Sequence, residues 1–501
     1  MNPGFFLFAL FGCLWLSDGL APASAQVPAE FSDLYPVLQA DITNFETSLD
    51  AGWDGTFYTN CQFAAVLVPA TDGGEGVAAT NRFFFQKSVL PFLNGLQSLG
   101  VKTIKVSINF PTLYQPYYDS LNGANNPAGY TNMFNFFTNV VYAVRQRGMG
   151  LIIPSQNLFP FEQPAVSNYY ASLNFNQYTN GRSTQIQTIA RYLKPDVIML
   201  QSEPVTEVEN LTTNLSTQLN DPVTDTNMLA GFLNDLKNAG LRTTSTLVGA
   251  GMGTWQPSFN TYLTNFVSLP LDILDVHVYP INRTTNFGIV TDFLQRTIQM
   301  ADAAHSRGMK VGMGECWVQK ERNSELANPP GELVFEGRNT YSFWSPLDRE
   351  FLLAMVKLGH YKKYEFIDPF WTSFFFAQLD YTNEQSYLTN ASADANALIL
   401  SKHENSALSV ALAVGSVTNT GLAYAEYILT NPPTLNLATT NYGVLNFVWT
   451  PVASKYLFES TKNLATHSWT AQTISPRPVG EDYAASVKTT NGDALFRLHL
   501  P

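Results

Sequence analysis

Apolar and polar positions along the middle of the chain follow one repeated pattern. A stretch of helical periodicity ends in glycine, and a short run of aliphatic and β-branched residues follows. Leu99-Gly100 precedes Thr103–Ile108, Arg147-Gly148 precedes Leu151–Ile153, and Ala239-Gly240 precedes Ser245–Val248. Arg307-Gly308 precedes Lys310–Met313, and Leu358-Gly359 precedes Tyr364–Ile367. A glycine just past a helix takes the left-handed conformation that a Cβ would strain. Three further apolar runs fill the gaps: Phe63–Val68, Val197–Leu200 after Pro195, and Ile273–Val278 after Pro270. Helical stretches are expected over Gln86–Leu99, Met133–Arg147, Asn227–Ala239 and Ile289–Arg307. Apolar strands alternating with helices form a parallel sheet covered on both faces. Eight such units predict an α/β fold, a (β/α)8 TIM barrel. A doubly wound open sheet is the rival. It is disfavoured because neither GxGxxG nor GxxxxGK[S/T] follows the first strand.

The pattern changes at both ends. After Asn431-Pro432-Pro433 come short alternating runs: Gly443–Trp449, Tyr456–Ser460, Trp469–Ile474, Ala484–Lys488 and Ala494–Leu498. They predict a small all-β module over 431–501, behind a barrel over 26–430. At the amino end, an apolar run from Phe5 to Leu16 leads to Ala23-Ser24-Ala25. This reads as a signal peptide over 1–25, cleaved after Ala25, although it carries no Lys or Arg before the run. The run is too short to span a bilayer, which takes about 20 residues. Leu10-Phe11-Gly12-Cys13 leaves a lipoprotein signal as the alternative. No later segment reads as a membrane span. The expected location is therefore secreted or periplasmic. Cleavage would leave Cys61 and Cys316, as a pair or as two free thiols.

Composition narrows the function classes. Of 501 residues, 45% are hydrophobic and 14% charged, which suits a large packed core. Lys+Arg 28 against Asp+Glu 40 gives a net charge of −12 and argues against a nucleic-acid partner. Three Cys and six His with no HExxH or paired spacing predict no metal site. No GxSxG follows a strand, and no cofactor motif is present, so no cofactor is expected.

In such a barrel the chemistry sits at the carboxyl ends of the strands. Read in order, these ends fall near Asp72, at Asn109, at Gln156-Asn157, at Gln201-Ser202-Glu203-Pro204, near Trp255, at His277-Val278-Tyr279, at Gly314-Glu315-Cys316-Trp317, and at Asp368-Pro369-Phe370-Trp371. Glu203 and Glu315 stand out as carboxylates directly after apolar strands four and seven. Two carboxyls facing each other suit glycosidic bond cleavage: one protonates the leaving oxygen, the other attacks the anomeric carbon or activates water. Aromatic faces stack on sugar rings, which makes Trp255, Trp317 and Trp371 candidate platforms. Glu207 and Glu209 are expected in a solvated loop past Pro204.

Ser202-Glu203-Pro204 and Gly314-Glu315-Cys316-Trp317, with His277 and Tyr279 between them, resemble the clan of retaining glycoside hydrolases built on a (β/α)8 barrel. The resemblance covers roughly residues 55–385. It implies Glu203 as acid/base and Glu315 as nucleophile, with His277 and Tyr279 beside the nucleophile. The clan usually carries Asn before the acid/base, against the sugar 2-hydroxyl; Ser202 departs from this and puts the sugar's identity in doubt. Asn109 and Ser202 complete the expected substrate contacts. The bland readings are a core histidine for His277, simple packing for Tyr279 and a turn role for Asn109. The expected function is an exported hydrolase of β-linked poly- or oligosaccharide acting by retention, endo in mode given the long loop Gln319–Ser345. The alternative is a non-catalytic glycan-binding protein on a degenerate barrel. The carboxy-terminal stretch, with Phe458–Leu464, Trp469 and Leu495–Leu498, resembles a small β module at the ends of exported bacterial proteins. Binding of glycan, docking to the cell envelope and capping of the enzyme all stay open for it.

Overall fold

A computed structural model describes residues 27–71, 83–121, 129–159, 164–286, 289–326, 330–388 and 392–429, and seven strand segments between 436 and 499. The expected signal segment, with Cys13 and Ala25, and the first strand-end candidate Asp72 lie outside the described residues.

Strands β1 (Gln62–Val66), β2 (Thr103–Lys105), β3 (Gly150–Pro154), β4 (Val197–Met199), β5 (Leu247–Gly253) and β6 (Ile273–Val278) run parallel in order. A hairpin of β7 (Arg283–Asn286) and β8 (Ile289–Asp292) follows. Then β9 (Lys310–Cys316) pairs with β6, β10 (Phe366–Pro369) pairs with β9, and β10 pairs with β1, closing an eight-stranded barrel. Leaving the strands' outer faces apolar lets the surrounding helices cover them in one continuous core. Inside the barrel, Ala64, Ile152, Val197, Met199, Ile273 and Phe366 form a separate apolar plug. The residues above this plug on β2, β6 and β10 are charged: Lys105, Asp275 and Asp368 are all buried.

The eight barrel strands form where expected, with shifted ends: β2 stops at Lys105 rather than Ile108, and β10 starts at Phe366 rather than Tyr364. β5 begins at Leu247, not Ser245, and runs on through Gly249, Gly251 and Gly253. Those glycines make room inside the barrel. A Cβ on Gly251 would lie 1.9 Å from the Asp275 carbonyl oxygen. Residues 289–292, expected to open a helix, instead form β8, and the helix begins at Phe293, where the Asp292 side chain accepts from the Gln295 N–H. The β-branched run Ile289-Val290-Thr291 favours the strand.

Four of the five expected cap glycines, Gly100, Gly148, Gly240 and Gly308, have positive φ. Gly359 does not. It lies within the helix Ser345–Tyr361 and allows close packing, since a Cβ there would meet Ile367 Cδ1 at 2.5 Å. Lys363, at φ 51°, takes the left-handed position instead.

Among the described residues no single helix is long and apolar enough to cross a membrane. Cys61 and Cys316 are both buried and free. The segments beyond 436 form two antiparallel sheets, β11 (Asn436–Asn441), β12 (Val444–Trp449), β16 (Asp482–Lys488) and β15 (Arg477–Val479) in one, and β14 (Thr470–Ala471), β13 (Leu457–Thr461) and β17 (Leu495–His499) in the other.

Candidate active site

Strand alternation builds most of the site. Along β6, Ile273, Asp275 and His277 share the inward face, and Tyr279 continues it past the strand end. Glu203 follows β4 and stands at the amino end of the helix Pro204–Glu209. Glu315 reaches the interior by a different route. Its strand carries a bulge: Met313 lies opposite Val276, but Glu315 lies opposite His277, so Gly314 is the extra residue. Glycine is required there, because a Cβ on Gly314 would sit 2.3 Å from Asp275 Oδ1.

These elements bring the two glutamates together. Carboxylate oxygens of Glu203 and Glu315 and a ring nitrogen of His277 lie within 4.8 Å of one another. His277 Nδ1 is 2.7 Å from Glu203 Oε1 and 3.4 Å from Glu315 Oε2, and Nε2 is 3.1 Å from Asp275 Oδ2. Tyr279 donates its hydroxyl to Glu315 Oε2 at 2.5 Å. From the barrel interior, Lys105 Nζ donates to Glu315 Oε1 at 2.5 Å and to the Gly314 carbonyl at 2.7 Å. Asp368 Oδ2 is 3.9 Å from the same ammonium.

Charge pairing decides the protonation states. Burial alone would strip the proton from His277, but the charges of Glu315 and Asp275 prevail and push it up to about 10. Burial would likewise raise Glu315, yet Lys105 and His277 hold it below the ordinary carboxylate range. Lys105 is raised, because the charge of Glu315 outweighs its desolvation. Burial drives Asp368 well above the ordinary range, against the pull of Lys105, so it keeps its proton. A protonated imidazole has no lone pair to offer, and an ammonium already sits on Glu315, so the Glu203–His277–Glu315 cluster is poorly suited to a metal ion.

The glutamates open into a cleft of about 540 Å³. Among the sequence-based candidates, Glu203, Trp255, Tyr279, Glu315 and Trp371 line it. Four others do not. Ser202 is buried and donates its hydroxyl to Asp275 Oδ2 at 2.7 Å. Asn109 is buried past β2. His277 lies just behind the two carboxylates. Trp317 points into the core between strand and helix, against Trp371, Phe374 and Phe375. It stands just past the end of β9, where strand alternation no longer sets its direction.

Glu207 is not solvated. It is buried and forms a 2.5 Å ion pair with Arg182, which also binds the carbonyls of Ser155 and Leu200. Glu209 is the exposed member of that turn and lines the cleft. Sequence reasoning missed Lys105, Asp275 and Glu321. The first two carried a usable signal: a charged residue inside an otherwise apolar strand of a sheet buried on both faces must point into the barrel and have a partner.

No family model and no curated protein matches the chain. Solved structures do. An exo-β-1,4-mannosidase from Opitutaceae bacterium strain TAV5 is similar over 74% of this chain, at 14% identity and a TM-score of 0.41; the chain spans only 59% of that protein. A GH113 β-1,4-mannanase is similar over 70% of this chain and 99% of its own, at 9% identity and a TM-score of 0.36. Xylanase 10C from Cellvibrio japonicus is similar over 74% and 71%, at 11% identity and a TM-score of 0.40.

Proposed function

We propose that the chain is a β-glycoside hydrolase that acts with retention of configuration. The observation that carries this reading is the approach of Glu203 and Glu315 within 4.8 Å at the floor of one cleft. Retaining enzymes hold their carboxyls about 5–5.5 Å apart, whereas inversion needs roughly 6.5–9.5 Å to admit a water. Glu315, ionised by Lys105 and His277, attacks the anomeric carbon. The bond to the leaving oxygen breaks as Glu203 gives that oxygen its proton. Glu203 then takes a proton from water, which displaces Glu315 and releases the sugar. Tyr279 and Lys105 each hold one oxygen of Glu315 in place.

Export and endo action belong to the same proposal. Export rests on the apolar run before Ala23-Ser24-Ala25. Endo action rests on the long chain after β9, from which Gln319, Leu326 and Phe335 wall the cleft. The Lys105–Glu315 bridge is the observation on the side of a glycan-binding protein, because it ties the nucleophile to the barrel interior. One experiment separates the two readings: reducing-sugar release from β-glucan, mannan, xylan and galactan by the wild type and by Glu315→Gln. The enzyme reading expects turnover on one polymer that the substitution abolishes. Binding to a polymer with no turnover by the wild type would establish the other.

A further inference from the structure

Two described carboxylates in the cleft, Glu209 and Glu321, have no part in this chemistry, and of these only Glu321 is buried. Glu321, on the chain after β9, is only 3% exposed and lines the cavity. Its carboxyl makes no hydrogen bond and no ion pair with any described residue. The neighbouring cations are already engaged. Arg338 forks onto Glu325 at 2.8 and 2.7 Å and also binds the Lys320 carbonyl. Lys320 turns the other way, to the buried Asp348. The backbone is fixed, because Asn282 Nδ2 donates to the Glu321 carbonyl at 3.0 Å. Burial, helped by the charge of Glu325 and opposed by Arg338, pushes the Glu321 carboxyl up to about 7. A buried carboxyl without a partner is costly and is expected to have a task.

We propose that Glu321 is the anionic contact of a sugar subsite that takes a unit bearing a free, protonated amine, a 2-amino-2-deoxyhexose within a β-linked chain. This rests on the glycosidase reading and names its substrate class. Among the described residues four glutamates line the cleft, Glu203, Glu209, Glu315 and Glu321, and no Lys or Arg does. Lys105 compensates Glu315 from below, but no described cation forms an ion pair with Glu321. An ammonium would supply the missing charge, whereas a neutral hydroxyl would leave it standing and a uronate would add to it. The faces of Trp255, Phe335 and Trp371 in the same wall also favour a cation over an anion. The net charge of −12 draws a polycationic chain toward the protein.

The test is calorimetric binding at about pH 7, where the Glu321 carboxyl ionises, to the uncleaving Glu315→Gln protein. The probes are a β-1,4-linked glucosamine tetramer and the matching glucose tetramer, repeated with Glu321→Gln and Glu321→Asp added. The amine-bearing tetramer is expected to bind at least tenfold tighter than the neutral one. Glu321→Gln is expected to erase that preference, and Glu321→Asp to keep part of it, with unchanged Tm showing that the fold is intact. Equal affinity for both tetramers would overturn the proposal, as would a preference that survives Glu321→Gln. A loss that falls equally on both tetramers would make Glu321 a plain hydroxyl contact and overturn the charge assignment. Hydrolysis of neutral polymers by the wild type, together with any of these, removes this inference alone. Absence of all hydrolysis removes the glycosidase reading and this one with it.

Discussion

Lys105 is the group whose removal tests the electrostatics of the site most directly. It is 1% exposed, donates to Glu315 Oε1 and to the Gly314 carbonyl, and lies 3.9 Å from Asp368. Lys105→Met keeps the stem and deletes the charge. Breaking one side of a buried pair costs about 3–5 kcal/mol, because the surviving carboxylate stays buried without compensation. An opposite charge at this range lowers a carboxyl by roughly one to three pH units, so its loss should let Glu315 titrate that much higher. The sign follows from the proposed role of Glu315, in which the ionised form is the nucleophile. The acid limb of kcat/KM should move toward neutral pH, while the alkaline limb stays. Denaturant unfolding reads the stability term, and the pH–rate profile reads the protonation term. Adding Glu315→Gln to Lys105→Met should restore most of the lost stability, since the orphaned charge is gone. An unmoved acid limb would refute this account of Glu315, and so would strictly additive destabilisation in the double variant.

Other substitutions probe the neighbours. Tyr279→Phe removes a 2.5 Å hydrogen bond to Glu315; a charge-assisted bond is worth about 1.5–3 kcal/mol, so kcat should fall roughly tenfold to a hundredfold with little change in Tm. Gly314→Ala puts a Cβ 2.3 Å from Asp275 Oδ1 and should lower both Tm and kcat, as thermal scans and turnover assays would show. His277 gains its proton affinity on folding, from 6.5 to about 10, so its contribution is full below about pH 6.5 and lost as pH rises toward 10. Stability measured across that window should fall, and His277→Gln should flatten the fall. Asp225, buried and pushed up to about 7 mainly by burial, adds a decline between its unfolded value of 3.8 and 7, which Asp225→Asn should remove.

The barrel was legible because its signals are local. Glycine caps at 100, 148, 240 and 308 and unbroken apolar strands need no knowledge of distant partners. The carboxylates Glu203 and Glu315 were legible for the same reason, as charged residues directly after such strands. What escaped depends on which face a residue takes. Trp317 looked like a platform and lies in the core, because it stands past the end of β9, where alternation no longer fixes its direction and Phe374 and Phe375 receive its ring. Ser202 looked like a sugar contact, yet its hydroxyl finds Asp275, seventy-three residues further along the chain. Glu207 looked solvated, and only the fold could reveal Arg182 waiting for it. Glu321 gave no local sign at all, since its isolation is the result of Arg338 choosing Glu325.

The bulge at Gly314 makes the proposed nucleophile a matter of counting. Side chains on a strand alternate strictly, so Glu315 faces the cleft only because one residue is in excess on β9. Deleting that residue would change no functional group and no charge. It would rotate the carboxylate into the apolar shell and bring the thiol of Cys316 round to the cavity. On the proposed mechanism, then, the change that most economically extinguishes catalysis is an odd-numbered insertion or deletion in β9. A chain with every named side chain intact but opposite parity on that strand should fold as a barrel and bind sugar, yet have no nucleophile.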